Sequence, residues 1–138
     1  MCCASYSDIC CSRFCPLRLA AIGRVCADEG VPLAVDAAQT AGVVPIDMAE
    51  NNISFLAFTG HKCLFGPPGT GGVCVADHAQ IEGTIYGGTG VRSAHPYHLE
   101  EYPYRLEPGT LNLAGIAGLS AGVRWVMGRG IENIHKHE

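Results

Sequence analysis

The sequence is short of charge and has no basic excess: charged side chains make up 16% of its 138 residues, and nine Lys and Arg against thirteen Asp and Glu leave a formal net charge of −4. A phosphate backbone needs a basic face to hold it, so nucleic acid is not an expected partner. Long apolar runs are also lacking. Leu33 to Val35 and Phe55 to Phe58 are strand-sized, well below the roughly 20 residues that cross a bilayer, so no membrane span is expected. No basic residue precedes the apolar part of the N-terminus, and Asp8 and Arg13 interrupt it, which argues against a signal peptide and for the cytoplasm. Cys-x-x-Cys spacing is missing too. Of the eight cysteines, Cys2, Cys3, Cys10, Cys11 and Cys15 crowd the start, and only Cys26, Cys63 and Cys74 lie elsewhere. That distribution suits neither a set of disulfide staples nor a tetrahedral zinc site, so no metal site is expected. A cysteine-rich metal-binding module is the rival that elemental analysis would reveal.

What is present reads as a globular α/β chain of one modest domain's length: 48% of residues are hydrophobic, and the eighteen glycines, too many for a helical bundle, cluster in Gly66 to Gly72 and Gly83 to Gly90. Pro16, Leu17, Leu19, Ala20, Ala21, Ile22 and Val25 fall at helical spacing ahead of Gly30, which predicts a helix from about Pro16 to Glu29. Pro32 to Val35 reads as a parallel strand buried on both faces, with Asp36 at its carboxyl end. After a short helical stretch around Asp47 to Asn52, a second strand from Ile53 to Phe58 ends in Thr59-Gly60-His61-Lys62. Gly72 to Ala76 reads as an antiparallel return strand. Asp77 to Gly109 has little periodicity, and a loop that long is usually functional or meets another chain. Ala114 to Val126 predicts a helix with Ile116, Leu119, Val123 and Val126 on one stripe and no obvious stop before the end.

In open α/β sheets, sites form beyond the carboxyl ends of the strands, where this reading places Asp36 and Lys62. Alone, Lys62 reads as a surface lysine, Asp36 as a turn residue or helix N-cap, and His61 as a loop cap. Together they suggest more. An amine held out of water attacks a carbonyl to form a Schiff base, the chemistry of pyridoxal 5′-phosphate (PLP), which also needs an acid beside its pyridine nitrogen. The Gly66 to Gly72 loop lacks the Gly-Lys-Ser/Thr ending of a P-loop and leads into a strand, which argues against nucleotide binding. His95, His98, His135 and His137 read as solvated, and Tyr97, Tyr102 and Tyr104 as interface or packing residues.

Val35-Asp36-Ala37-Ala38-Gln39-Thr40-Ala41-Gly42, Phe55-Leu56-Ala57-Phe58-Thr59-Gly60-His61-Lys62 and Gly66-Pro67-Pro68-Gly69-Thr70-Gly71-Gly72 are followed by Gly87-Gly88-Thr89-Gly90 and Glu107-Pro108-Gly109-Thr110-Leu111-Asn112. In that order they closely resemble the class V aminotransferase family, most nearly its cysteine desulfurase and selenocysteine lyase branch, from about Pro16 to Ile134. The resemblance implies a role for each matching residue. Lys62 would carry PLP as a Schiff base and, once released, act as the base that moves the α proton. Asp36 would pair with the pyridinium nitrogen, Gln39 would contact the phenolic oxygen, and Thr59 and His61 would hold the phosphate. Thr89 resembles the position that reaches the phosphate of a neighbouring subunit, which implies a homodimer. Asn112 resembles a conformational element near the domain junction.

The implied fold is α/β, part of the large domain of fold-type I PLP enzymes: a mixed, mostly parallel sheet between helices, with the start of the small C-terminal domain. Residues 1–15 would be a degenerate cysteine-rich segment that puts the first strand in doubt, 16–110 the partial PLP-binding domain, and 111–138 a linking helix. Family members are much longer, so the chain is expected to be a fragment, with the ring-stacking aromatic, the carboxylate-binding arginine and the sulfur-accepting cysteine outside it. None of the eight cysteines, Cys63 included, matches that acceptor. The implied function is PLP-dependent cleavage of the carbon–sulfur bond of L-cysteine, giving alanine and sulfur for an acceptor protein, as in iron–sulfur cluster assembly. The alternatives are a selenocysteine lyase, a class V transaminase of a small amino acid, and an inactive remnant or assembly module.

Overall fold

The computed structural model describes residues 4–7, 16–92 and 94–137; Cys2, Cys3, Cys10, Cys11 and Cys15 lie outside them. The expected helix forms as α1 (Pro16–Asp28), with proline in the first turn, where its missing N–H costs nothing. Its inward face differs from the expected stripe: Leu19 is 1% exposed and Cys26 6%, whereas Val25 is 62% exposed. Leu19, Gly23 and Cys26 follow one another at helical spacing, and a Cβ on Gly23 would collide with the Asn51 carbonyl. The glycine therefore lets α1 lie directly on the following turn. At the C-terminus Gly30 takes φ 63°, and bonds from Val31 N to the Cys26 carbonyl (2.8 Å) and Gly30 N to the Ala27 carbonyl (3.1 Å) close a Schellman motif.

Four strands form one sheet in the order β1-β2-β3-β4. They are β1 (Ala4–Ser7), β2 (Leu33–Asp36), β3 (Ile53–Thr59) and β4 (Gly71–Val75). The first strand, in doubt from the sequence, pairs parallel with β2 through Ala4 opposite Leu33 to Ser7 opposite Asp36. β2 pairs parallel with β3, and β4 returns antiparallel, with Thr59 opposite Gly71. The sheet is thus mixed and mostly parallel. Leu19, Cys26, Leu33, Val35, Ala37 and Ile53 form the core between α1 and the sheet, with Leu56 and Met48 packed against them. Asp36 lies opposite Ala57 in the register, and successive side chains alternate between faces. Asp36, Ala57 and Thr59 therefore share one sheet face, and Val35 and Leu56 share the other.

The stretch around Asp47 forms a single turn instead of a helix. Asp47 Oδ1 accepts from Ala49 N and Glu50 N, both at 2.9 Å, but Asn52 already takes φ 51° and β3 begins at the next residue. α2 (Leu113–Arg129) and α3 (Ile131–His135) complete the chain. The continuous helix expected here is interrupted at Gly130, whose φ of 80° leaves the helical region. The stripe also rotates: Val126 is 2% exposed as expected, but Ile116 is 44% exposed, and the buried positions are Gly115, Gly122 and Val126.

The chain divides into two compact units, one comprising the sheet, α1 and Ala114–Glu138, the other Gln80–Leu113. The second holds a 3-10 helix (Tyr104–Leu106) and is tied by Gly109 N to the Gly88 carbonyl (2.6 Å), His98 Nδ1 with the Gly87 carbonyl (2.9 Å) and an Arg92–Glu101 ion pair (2.9 Å).

Candidate active site

β3 delivers Thr59, His61 and Lys62 in sequence order at its carboxyl end. Thr59 Oγ1 and His61 Nδ1 share a hydrogen bond of 2.9 Å. The chain then coils back: Phe65 N donates to the Lys62 carbonyl (2.9 Å), Gly66 N to the Gly60 carbonyl (2.7 Å), and Gly60 N to the Thr70 carbonyl (2.8 Å). Phe65 adopts φ 55°, a conformation that is an outlier for a bulky side chain. His61 is exposed, whereas Thr59 and Lys62 are half-buried.

Asp36, at the matching end of β2, is exposed, and its Oδ1 accepts from Ala38 N at 3.0 Å. Bonds from Ala41 N to the Ala37 carbonyl (2.9 Å) and Val44 N to the Thr40 carbonyl (2.9 Å) wind the next residues into a turn that carries Gln39. This turn meets the lysine loop at two points. Cys63 Sγ donates to the Gln39 carbonyl at 3.5 Å, and Gly42, at φ 98°, approaches so closely that a Cβ there would collide with the Cys63 carbonyl. Asp36, Gln39, Thr59, His61 and Lys62 thus belong to adjoining strand ends and two loops in contact.

Thr89 belongs to the other unit. It is 7% exposed, and its hydroxyl donates to the Val91 carbonyl (3.0 Å) and accepts from Val91 N (3.3 Å). Among the described residues no group of three or more His, Cys, Asp and Glu converges as a metal site would require.

The sequence singles out Asp36, Gln39, Thr59, His61, Lys62 and Thr89 as candidates and gives no sign of the contacts that hold their loops together. Gly42 and Cys63 are separated in the sequence, and neither has a motif that pairs them. For α2 a signal existed. Gly118 and Gly122 in a helix interior cost stability unless packing needs them, and their Cβ positions would meet Pro67 and the Leu64 carbonyl.

Fold and site define a class: an α/β domain presenting a lysine, an imidazole and a carboxylate at the carboxyl ends of adjacent parallel strands. Residues 17–138 match the family model described as Aminotransferase class-V. The chain belongs to the class-V aminotransferase family. It is 41% identical over 120 residues to a probable cysteine desulfurase of Methanothermobacter thermautotrophicus, covering 84% of this chain and 30% of that protein. The apo structure of cysteine desulfurase from Thermococcus onnurineus NA1 superposes with a TM-score of 0.69 at 33% identity, covering 86% of this chain and 30% of that one. The structure of SspA in complex with cysteine gives 0.61 at 30% identity, covering 77% and 27%. The fold is therefore part of the fold-type I large domain, and the chain spans about 30% of the length of the curated relatives it matches.

Proposed function

We propose that this chain provides the cofactor-holding part of a PLP-dependent cysteine desulfurase, which cleaves the carbon–sulfur bond of L-cysteine to alanine and passes the sulfur to an acceptor protein. The observation that carries the reading is the joint placement of Lys62, His61 and Thr59 at the end of β3 beside Asp36 at the end of β2. The donor set fits the group. A hydroxyl and an imidazole already within hydrogen-bonding distance of each other suit a phosphate, and an exposed carboxylate with a fixed oxygen suits a protonated pyridine nitrogen. When bound, PLP supplies an electron sink beside the reacting carbon.

The protein's own residues do the rest. Lys62 holds the cofactor covalently and, when freed, takes and returns a proton at the substrate α carbon. Asp36 keeps the pyridine nitrogen protonated, Gln39 meets the phenolic oxygen, and Thr59 and His61 anchor the phosphate. Thr89 serves the phosphate of a second copy in a homodimer, which requires its hydroxyl to exchange the Val91 contacts for the ligand. Residues 16–110 belong to the cofactor domain and 111–138 lead toward a small C-terminal domain. A cytoplasmic role in sulfur supply for iron–sulfur cluster assembly follows from the same reading. The names of the relatives and the cysteine held by one structural neighbour support a cysteine-like substrate. Titrating the chain with PLP should raise a visible absorption band that Lys62→Ala abolishes. A folded chain with no such band is an inactive remnant.

A further inference from the structure

Gly60 and Gly66 bracket the lysine loop and bond to each other across its base. Neither has room for a side chain: a Cβ on Gly60 would collide with the Thr70 hydroxyl and one on Gly66 would crowd the Gly60 carbonyl, and Leu119 Cδ1 of α2 reaches both, 3.0 Å from a Cβ built on Gly60 and 2.8 Å from one built on Gly66. Further along α2, Gly122 seats the Leu64 carbonyl and the Phe65 backbone, and Trp125 packs edge-on against Phe65 with ring centroids 4.9 Å apart. A bulky residue held in the left-handed region is strained and persists only when its surroundings over-determine it. Here the over-determining surroundings are α2.

We propose that Leu119 is a positioning residue for Lys62. Its side chain is the wedge under the Gly60–Gly66 closure, and it holds the coil in the shape that presents the amine. The inference rests on the reading of Lys62 as the cofactor lysine, but its test reads the lysine without the cofactor. The sequence contains two lysines, Lys62 and Lys136, so Lys136 in the C-terminal turn is an internal reference. The unliganded chain is labelled with trinitrobenzenesulfonate, and the two sites are quantified by peptide mass mapping.

Leu119→Ala should change the Lys62 to Lys136 labelling ratio several-fold, because the coil that presents the amine loses its support from α2. Leu119→Met, which refills the space, should restore it. Leu19→Ala, which hollows the core under α1, should lower stability and leave the ratio unchanged. If Leu119→Ala does not fold, Leu119→Val is the deciding variant, with a smaller shift in the same direction. An unchanged ratio in the folded Ala or Val variant overturns the proposal, as does a shift that Met fails to restore or that Leu19→Ala reproduces. Failure of the wild-type chain to take PLP on Lys62 counts against the proposed function and leaves the ratio readable.

Discussion

Asp36 serves the turn and the proposed site with the same carboxylate. Its Oδ1 anchors Ala38 N, a bond an amide oxygen can also accept, whereas a protonated pyridine nitrogen requires the charge. Asp36→Asn should therefore leave the unfolding free energy from urea denaturation nearly unchanged, within about 0.5 kcal/mol as for surface changes. The same variant should weaken PLP binding by roughly tenfold or more, the usual worth of a hydrogen bond to a charged group. Equal losses in stability and binding would make Asp36 a turn residue only. Asp36 and Lys62 were legible in the sequence because Asp36 closes one short apolar strand and Lys62 lies three residues past the end of the next, and a parallel pair places both at one end. Cys63 was legible only as a neighbour of Lys62. Its bond to the Gln39 carbonyl depends on the close approach at Gly42, which arises from tertiary packing and leaves no local pattern.

Among the elements, α2 separates glycines that packing requires from one that it does not. A Cβ on Gly122 would collide with the Leu64 carbonyl, whereas one on Gly128 meets nothing within 4 Å. Gly128→Ala should stabilise the chain by about 0.5–1 kcal/mol through helix propensity alone. Gly122→Ala should instead destabilise it by about 1–3 kcal/mol through overpacking. Chemical denaturation of the two variants decides, and a stabilised Gly122→Ala would mean that the helix does not seat the lysine loop. Hydrophobic spacing located α2 but mis-set its face, because the inward positions include Gly115 and Gly122, which a search for apolar side chains passes over. On α1 Val25 was counted inward, whereas the inward positions are Leu19, Gly23 and Cys26. The strands were read more accurately, since unbroken apolar runs ending in polar residues specify parallel pairing with little competition.

At the scale of the whole molecule, no strand among the described residues pairs with the outer edge of β4; Val73 on that strand is 53% exposed, and elsewhere Phe65 is 57% and Met127 73% exposed. Unpaired edges and apolar exposure favour association. Sedimentation velocity over a concentration series should show reversible self-association, and Val73→Lys should raise the monomer fraction; a concentration-independent monomer would show that the edge is adequately protected. The Gln80–Leu113 unit was legible as a long aperiodic segment, but not its internal ties, which join residues far apart in sequence such as Gly88 and Gly109. Lys62 as the amine that takes PLP is the claim on which the functional account turns. The direct measurement is borohydride reduction of the PLP-treated chain followed by peptide mass mapping, with Lys136 as the built-in control. The account predicts a reduced adduct on Lys62 at near-stoichiometric yield and little on Lys136. Equal labelling of the two lysines, or none on Lys62 in a folded sample, would contradict it.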